Sequence, residues 1–205
     1  VDGTPTTAHG LLGCGPGGTS RIYGGALERF ETSDFEPYTA QTGSRSGWPF
    51  SYEQFEPFYQ QAERLYKVTG TPDPLRPSQE FDLINPPPLL ARDVHYSDAF
   101  QRAGLHPYRL HTAFGYAENC KECVGAVCSK PCRHDARSIC LNPALATGNA
   151  TLVTGCEVQR IEAGTTGVHH LVCLIDGKEQ TIKSNIYVLA AGAFALGLIV
   201  LALGI

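Results

Sequence analysis

The sequence predicts a mixed α/β fold, and three observations of hydrophobic period support that prediction. Apolar side chains between residues 51 and 70 recur at the spacing of one buried helix face. Short β-rich runs separated by turn signals occupy residues 150–183. The run 186–190 is apolar without polar alternation, which is typical of a strand buried on both faces of a parallel sheet. We therefore expect an α/β core with a small attached antiparallel β element.

The first feature in chain order is a glycine-rich segment, residues 9–25, with the sequence HGLLGCGPGGTSRIYGG. Glycine at this density indicates a close approach between the backbone and another group. One G-x-G-x-x-G pattern begins at Gly13, but it lacks the flanking strand and the later acidic residue of a dinucleotide site, so alone it is weak. Unhindered N–H groups followed by Thr19 and Ser20 are suited to bind phosphate or to cap a helix. A loop without any ligand is the alternative.

A capping box at Ser51 and Gln54 predicts the start of a helix, and Gly70 is expected to stop it. Pro57 is expected to separate a short first turn from the main helix, because proline removes one backbone donor. The aromatic stripe of this helix is expected in the core. Glu63 lies among the polar positions that are expected to face away from it.

Beyond the predicted helix, the composition of the chain changes twice. Residues 71–93 are rich in proline, which predicts an extended arm, and a short helix is expected over 96–105. Further on, Asp176-Gly177 predicts a tight hairpin turn and residues 164–167 a loop, so the β-rich runs are expected to form an antiparallel meander.

Residues 186–205 contain only apolar residues, tyrosine and glycine, and about 20 such residues suffice to span a bilayer. However, 186–190 is typical of a buried strand, and the small residues 191–193 interrupt any helical stripe. We therefore favour a strand, a turn and a buried helix over a membrane span.

The overall charge argues against a nucleic-acid partner. Sixteen Lys and Arg stand against twenty Asp and Glu, for a net charge of -4, and there is no basic run that would follow a phosphate backbone. The chain contains no Met and begins at Val1, which suggests a processed chain or an internal fragment.

Five of the eight cysteines fall within 21 residues. Cys120, Cys123, Cys128 and Cys132 follow the spacing C-x2-C-x4-C-x3-C, with His134 close behind, and thiolate and imidazole groups at such spacing can bind zinc or an iron-sulfur centre. The alternatives are a compact loop of structural thiols or disulfides, and redox chemistry.

Four segments, in this order, resemble the glucose-methanol-choline (GMC) family of FAD-dependent oxidoreductases. They are GPGGTSRIYGGALERF at 15–30, WPFSYEQFEPFYQQAERLYKVTG at 48–70, CRHDARSICLNPALATGNATLVTGCEVQRIEAG at 132–164 and IYVLAAGAF at 186–194. The resemblance covers most of the chain and implies a partial FAD-binding domain of GMC type with part of a cap or substrate domain. It suggests a flavin-contacting segment over 1–30, a cap or substrate region over 31–140 and part of the FAD-binding domain over 141–205.

The resemblance implies FAD as the cofactor, held largely by backbone contacts with small residues. In the family, the Gly-Gly-Thr-Ser loop follows the FAD pyrophosphate and ribityl chain and the next glycine pair lies near the flavin. The backbone of a valine contacts the adenine. A later turn of small residues contacts the cofactor at a second place. The residues of this chain expected at these contacts are Gly15, Gly17, Gly18, Thr19, Ser20, Gly24, Gly25, Val158, Ala191 and Gly192.

The implied reaction is oxidation of an alcohol or sugar hydroxyl on a small-molecule substrate. In it a histidine takes the hydroxyl proton while hydride passes from carbon to flavin N5. The family's N-terminal βαβ unit and its C-terminal histidine region have no match here, so we expect a fragment that carries no catalytic residue and does not turn over unaided. The alternative from another class is a cysteine-cluster metal-binding module without catalysis.

Overall fold

In a computed structural model, the structure describes residues 13–40, 43–120, 125–130 and 132–192. The chain divides into two compact units, residues 1–150 and 151–205. Helices and small antiparallel sheets are both present, which confirms the mixed α/β prediction at the level of fold class.

The first unit combines short helices with one small hairpin. Its helices are α1 (Tyr52–Tyr66), α2 (Ala91–Arg102) and α3 (Asn142–Ala146), its strands are β1 (Tyr38–Ala40) and β2 (Gly43–Arg45), and its tighter turns are the 3₁₀ turns Gly18–Arg21 and Thr32–Phe35 and the π turn Arg137–Leu141. Helix α2 begins at Ala91, earlier than the predicted 96, so the extended arm is shorter than predicted.

Helix α1 begins with the predicted capping box. Ser51 Oγ accepts from the Gln54 N–H, and Gln54 Oε1 accepts from the Ser51 N–H. The predicted end was wrong, because Lys67 adopts a left-handed backbone (φ 49°) that stops the helix before Gly70. The predicted break at Pro57 was also wrong: the helix is continuous, and Pro57 lies on its exposed side, where a carbonyl that loses its donor can bond to water.

The faces of α1 are not divided as their polarity predicts. Phe58 and Leu65 of the apolar stripe are 58% and 50% exposed, whereas Glu63 is only 4% exposed. Glu63 is buried because it pairs with Arg29, Nε of which lies 2.7 Å from Glu63 Oε1. A specific ion pair has therefore overridden the simple amphipathic pattern.

The core of the first unit is built around the buried segment 111–114. Thr112 and Thr69 exchange backbone hydrogen bonds of 2.8 Å in both directions. On the other side, the Ala113 N–H donates to the Gly25 carbonyl at 2.7 Å, and the His134 N–H donates to the Ala113 carbonyl at 2.9 Å. One central segment thus joins the glycine-rich segment, the end of α1 and the cysteine-rich segment.

The second unit is the predicted antiparallel meander. Its strands are β3 (Cys156–Gly164), β4 (Gly167–Ile175) and β5 (Lys178–Ile182), in the order β3-β4-β5. The predicted turn at Asp176-Gly177 is confirmed: both residues have positive φ, 50° and 78°, as a tight two-residue hairpin requires. Val172 and Cys173 of the central strand are buried.

The predicted buried strand at 186–190 is not formed. These residues have no regular structure, and Ile186 and Val188 are 78% and 83% exposed. A strand buried on both faces needs a hydrogen-bonded neighbour, and none of the described strands pairs with this segment. The predicted helix beyond Gly192 lies outside the described residues. Within the described part of the chain, no helix has the length and apolar character needed to cross a membrane.

Candidate functional site

The glycine-rich loop at residues 13–21 depends on backbone angles that favour glycine. Gly15, Gly17 and Gly18 have φ of 102°, 95° and 52°, all in the left-handed region. The Gly18 N–H donates to the Gly15 carbonyl at 2.9 Å, which closes a tight turn that leads directly into the 3₁₀ turn Gly18–Arg21. Side chains at these positions would strain the turn.

One side of the loop is fixed to the rest of the first unit. The Ser20 hydroxyl donates to the Gly17 carbonyl at 2.6 Å and accepts from the Ala136 N–H at 3.0 Å. A Cβ on Gly17 would lie 2.9 Å from the Arg137 Cβ, so the two segments touch at their backbones. Ser20 is therefore an internal link as well as a member of the predicted phosphate-binding set.

The other side of the loop is open. Among the described residues, no other atom would lie within 4 Å of a Cβ at Gly15, Gly18 or Gly24, and the side chain of Thr19 is exposed. The Thr19 Oγ1 accepts from the Gly13 N–H at 3.3 Å, while its own proton can still be donated. A ligand can thus approach the backbone here without meeting a side chain.

The end of the glycine-rich segment is anchored in the core. A Cβ on Gly25 would lie 2.6 Å from a ring carbon of Phe114, so only glycine fits beneath this ring. Two residues earlier, the Tyr23 hydroxyl donates to the His134 carbonyl at 2.7 Å, and burial raises the pKa of Tyr23 to about 12. The open face is therefore carried on a rigid base.

The donor set on this face fits an FAD phosphate or ribityl chain. The segment 13–25 contains no acidic residue that would repel phosphate, and its open side combines small residues with the hydroxyl group of Thr19. The Gly18–Arg21 turn is too short to act as a helix N-terminus, so the fit rests on the open backbone and on the hydroxyl of Thr19.

The remaining predicted cofactor contacts belong to the second unit. Val158 lies on β3 opposite Cys173 and is 51% exposed. Ala191 and Gly192 are exposed, and Gly192 has a φ of 82° with no atom of residues 13–192 that the structure describes within 4 Å of a Cβ placed there. All three residues are exposed, which is compatible with the predicted contacts.

The cysteine-rich segment brings three described thiols close together. Cys132 is buried, and burial, followed by its hydrogen bond with Cys120, raises its pKa to about 11. Backbone N–H groups, that of Lys130 first, lower the pKa of the Cys128 thiol. Within the described residues, no group of three or more His, Cys, Asp or Glu side chains could hold a metal ion, and Cys123 lies outside them. The described residues thus offer no support for the alternative of a metal-binding module.

The residues that hold the loop in place were missed by sequence reasoning. Phe114, Ala136 and Arg137 come from segments about 90 residues or more away from the residues that they contact, which are Gly25, Ser20 and Gly17. The only signal for two of them was their place inside the segment 132–164 that carried the family resemblance. Neither the hydrophobic period nor the spacing of motifs could have predicted that these residues contact the glycine-rich loop.

Comparison with known proteins gives a family and two relatives. A family model described as GMC oxidoreductase matches residues 7–205. A paromamine 6'-oxidase from Streptomyces fradiae is 26% identical over 205 residues, covering 94% of this chain and 36% of the relative. A 6'''-hydroxyparomomycin C oxidase from Streptomyces lividus is 27% identical over 207 residues, covering 94% of this chain and 37% of the relative. The chain therefore spans a little over a third of the length of these relatives.

Proposed function

Because the chain belongs to the GMC oxidoreductase family, we propose that residues 13–25 form part of an FAD site in an oxidoreductase that oxidises a hydroxyl group of a small alcohol or sugar. When bound, FAD supplies a hydride acceptor at flavin N5 for the carbon that carries the hydroxyl group. The role proposed for residues 13–25 is to bind and orient the cofactor.

The observation that carries this proposal is the open backbone face of the loop. None of the described residues fills the space beside Gly15, Gly18 and Gly24, while Ser20 and Gly25 are hydrogen-bonded to the core on the other side of the loop. A fixed loop with a free face suits a cofactor that must be held in one orientation, because little conformational entropy is lost on binding.

The contribution proposed for the second unit is backbone contact. Val158 would meet the adenine through its main chain, and Ala191 and Gly192 would pass the cofactor a second time. Exposed main-chain groups and a glycine with positive φ are compatible with that role.

The names of the two relatives support the reaction class. Both are named as oxidases, one of paromamine and one of 6'''-hydroxyparomomycin C. For this chain we infer a small-molecule hydroxyl compound as the substrate.

The proposal is tested by Gly18→Val with Gly104→Val as the matched control. Both glycines have positive φ, 52° and 79°, and in the part of the chain that the structure describes a Cβ at either meets no atom within 4 Å. The two variants should therefore lose similar stability, whereas only the side chain introduced by Gly18→Val would fill the proposed cofactor face. The measurement is flavin absorbance per polypeptide after gel filtration of the complete polypeptide that contains these residues.

We expect Gly104→Val to retain wild-type flavin content and Gly18→Val to lose most of it while remaining folded by circular dichroism. Equal flavin content in the two variants would place the cofactor elsewhere. A wild-type protein that retains no flavin after incubation with FAD would contradict the proposal as a whole.

A further inference from the structure

The buried side chain of Arg133 lies against the glycine-rich segment. Arg133 is only 3% exposed. Its Nη1 donates to the backbone carbonyl of Arg21, although 112 residues separate the two, and to the carbonyl of Ala126 at 2.7 Å. One guanidinium nitrogen therefore joins the glycine-rich segment to the cysteine-rich segment.

The same side chain supports the end of the glycine-rich segment through an aromatic ring. Arg133 Cζ lies 5.8 Å from the centroid of the Phe114 ring, and the backbones of these two residues form an antiparallel bridge. A guanidinium group at that distance from a ring is attracted to it. The Phe114 ring is in turn the group beneath which only glycine fits at position 25. Arg133 thus supports the segment at two points, the Arg21 carbonyl and the ring beside Gly25.

Two other contacts hold the residues between these points. The Gly125 N–H donates to the Ile22 carbonyl at 2.9 Å, and the Tyr23 hydroxyl donates to the His134 carbonyl at 2.7 Å. Both are hydrogen bonds between neutral groups, whereas a hydrogen bond from a guanidinium group is charge-assisted and roughly twice as strong. We therefore expect Arg133 to supply the strongest of these three hydrogen bonds.

The free face of the glycine-rich loop depends on the backbone conformation that these contacts fix. Glycine gains more conformational freedom than any other residue when it is released from a fixed structure. A released loop would have to be ordered again when a ligand binds, and each ordered residue costs free energy. A loop that is already held in place does not impose this cost on binding.

We propose that Arg133 is a positioning residue for the FAD site proposed above. Its guanidinium group is buried, so it acts through the Arg21 carbonyl and the Phe114 ring and not by contact with the cofactor. Its role is to hold the glycine-rich loop in the conformation whose free face receives FAD. This inference rests on the proposed function of residues 13–25.

The test is calorimetric titration of FAD into the apoprotein of the complete polypeptide. Arg133→Met keeps a long side chain but removes its charge and its donors, and Arg133→Lys keeps both. The matched control is Glu63→Gln, which removes the carboxylate beside the buried Arg29 of the same unit and alters no residue of the segment 13–25.

We expect Arg133→Met to weaken FAD binding about tenfold or more. Tenfold corresponds to about 1.4 kcal/mol, which is the cost of ordering a single backbone residue. Arg133→Lys should recover most of the affinity, because an ammonium group can donate to both carbonyls. Glu63→Gln should bind FAD as tightly as wild type does.

Hydrogen exchange at the Gly18 and Ile22 amides gives a second readout, which needs no FAD. Both N–H groups donate to carbonyls inside the glycine-rich segment. Their exchange in the apoprotein should be faster in Arg133→Met than in wild type and unchanged in Glu63→Gln. If circular dichroism shows that Arg133→Met does not fold, Arg133→Gln, which is uncharged but polar, takes its place with the same expected losses.

Three results would overturn the inference. They are an Arg133→Met protein that binds FAD as tightly as wild type, one whose Gly18 and Ile22 amides exchange no faster, and an equal loss of FAD affinity in Glu63→Gln. The last result would show that general destabilisation of the first unit is the cause. Wild-type protein that binds no FAD would instead contradict the proposed function, so the two failures are distinguishable.

Discussion

Arg29 is a buried cation whose charge is balanced by two carboxylates, Glu63 and, 3.3 Å from its Nη1, Glu56. Its Nε and Nη2 donate to the two oxygens of Glu63 at 2.7 and 2.8 Å, and Nη2 also donates to the Glu80 carbonyl at 2.7 Å. Burial alone would lower the pKa of Arg29, but the hydrogen bonds with Glu63 and Tyr52 raise it. This pair ties the segment that follows the glycine-rich loop to helix α1.

Glu63→Gln should therefore destabilise the first unit by about 2 kcal/mol, because it removes the closest counter-ion of the buried Arg29 charge and leaves only Glu56, 3.3 Å from Nη1. The control is Asp82→Asn, which breaks the ion pair with Arg64 at groups that are about half exposed. That loss should be at most about 1 kcal/mol. Urea unfolding measures the free energy of unfolding of both variants. Equal losses of stability would show that the buried ion pair contributes no more than the exposed one.

Helix α1 is the element that positions both the Arg29 partner and the segment 68–70 of the core. Its start depends on the reciprocal hydrogen bonds of Ser51 and Gln54, and its end on Lys67 in the left-handed region. The carbonyl of Tyr66, in the last turn, accepts from Nδ1 of His134 at 2.6 Å. Both ends of the helix are thus satisfied by side chains.

Ser51→Ala should lower the free energy of unfolding by about 1 kcal/mol, since the Gln54 N–H loses its acceptor at the helix start. Ser46→Ala is the control, because Ser46 is an exposed serine that precedes the helix. Its effect should stay within about 0.5 kcal/mol. Denaturant unfolding followed by circular dichroism measures both variants, and a Ser51→Ala loss no larger than that of Ser46→Ala would mean that the capping box contributes nothing.

At the scale of the whole molecule, alkaline pH is expected to weaken the link between the loop and the cysteine-rich segment. Tyr23 has a pKa of about 12 instead of its ordinary 10.0, because it is half buried. The unfolded chain releases this proton first as pH rises. Stabilisation by the Tyr23 hydroxyl is therefore complete below about pH 10 and is lost as pH approaches about 12.

The variant Tyr23→Phe tests this pH dependence. Near neutral pH it should be less stable than wild type by about 1 kcal/mol, for the lost hydrogen bond with the His134 carbonyl. The gap between the two proteins should close as pH rises from about 10 to about 12. Tyr38→Phe, at a tyrosine that is 58% exposed, is the control. A gap for Tyr23→Phe that stays constant across this range would contradict a raised pKa.

Local sequence patterns predicted the structure correctly where an element depends only on contacts between residues close together in the chain. The Ser51 capping box and the Asp176-Gly177 hairpin are complete within a few residues, and both were predicted correctly. The buried strand at 186–190 was wrong, because its formation depends on a partner strand and not on its own composition. The burial of Glu63 was missed for the same reason, since its partner Arg29 lies 34 residues away.

The sequence by itself determined the family, the mixed α/β class, the antiparallel meander and the position of the glycine-rich loop, because these depend on local period, turn chemistry and ordered motifs. Only the tertiary structure decided which face of that loop is open and which is anchored by Phe114 and Arg137. It also decided that the Arg133 side chain reaches the Arg21 carbonyl. Contacts between distant segments follow from how the chain packs, and no spacing along the sequence encodes them.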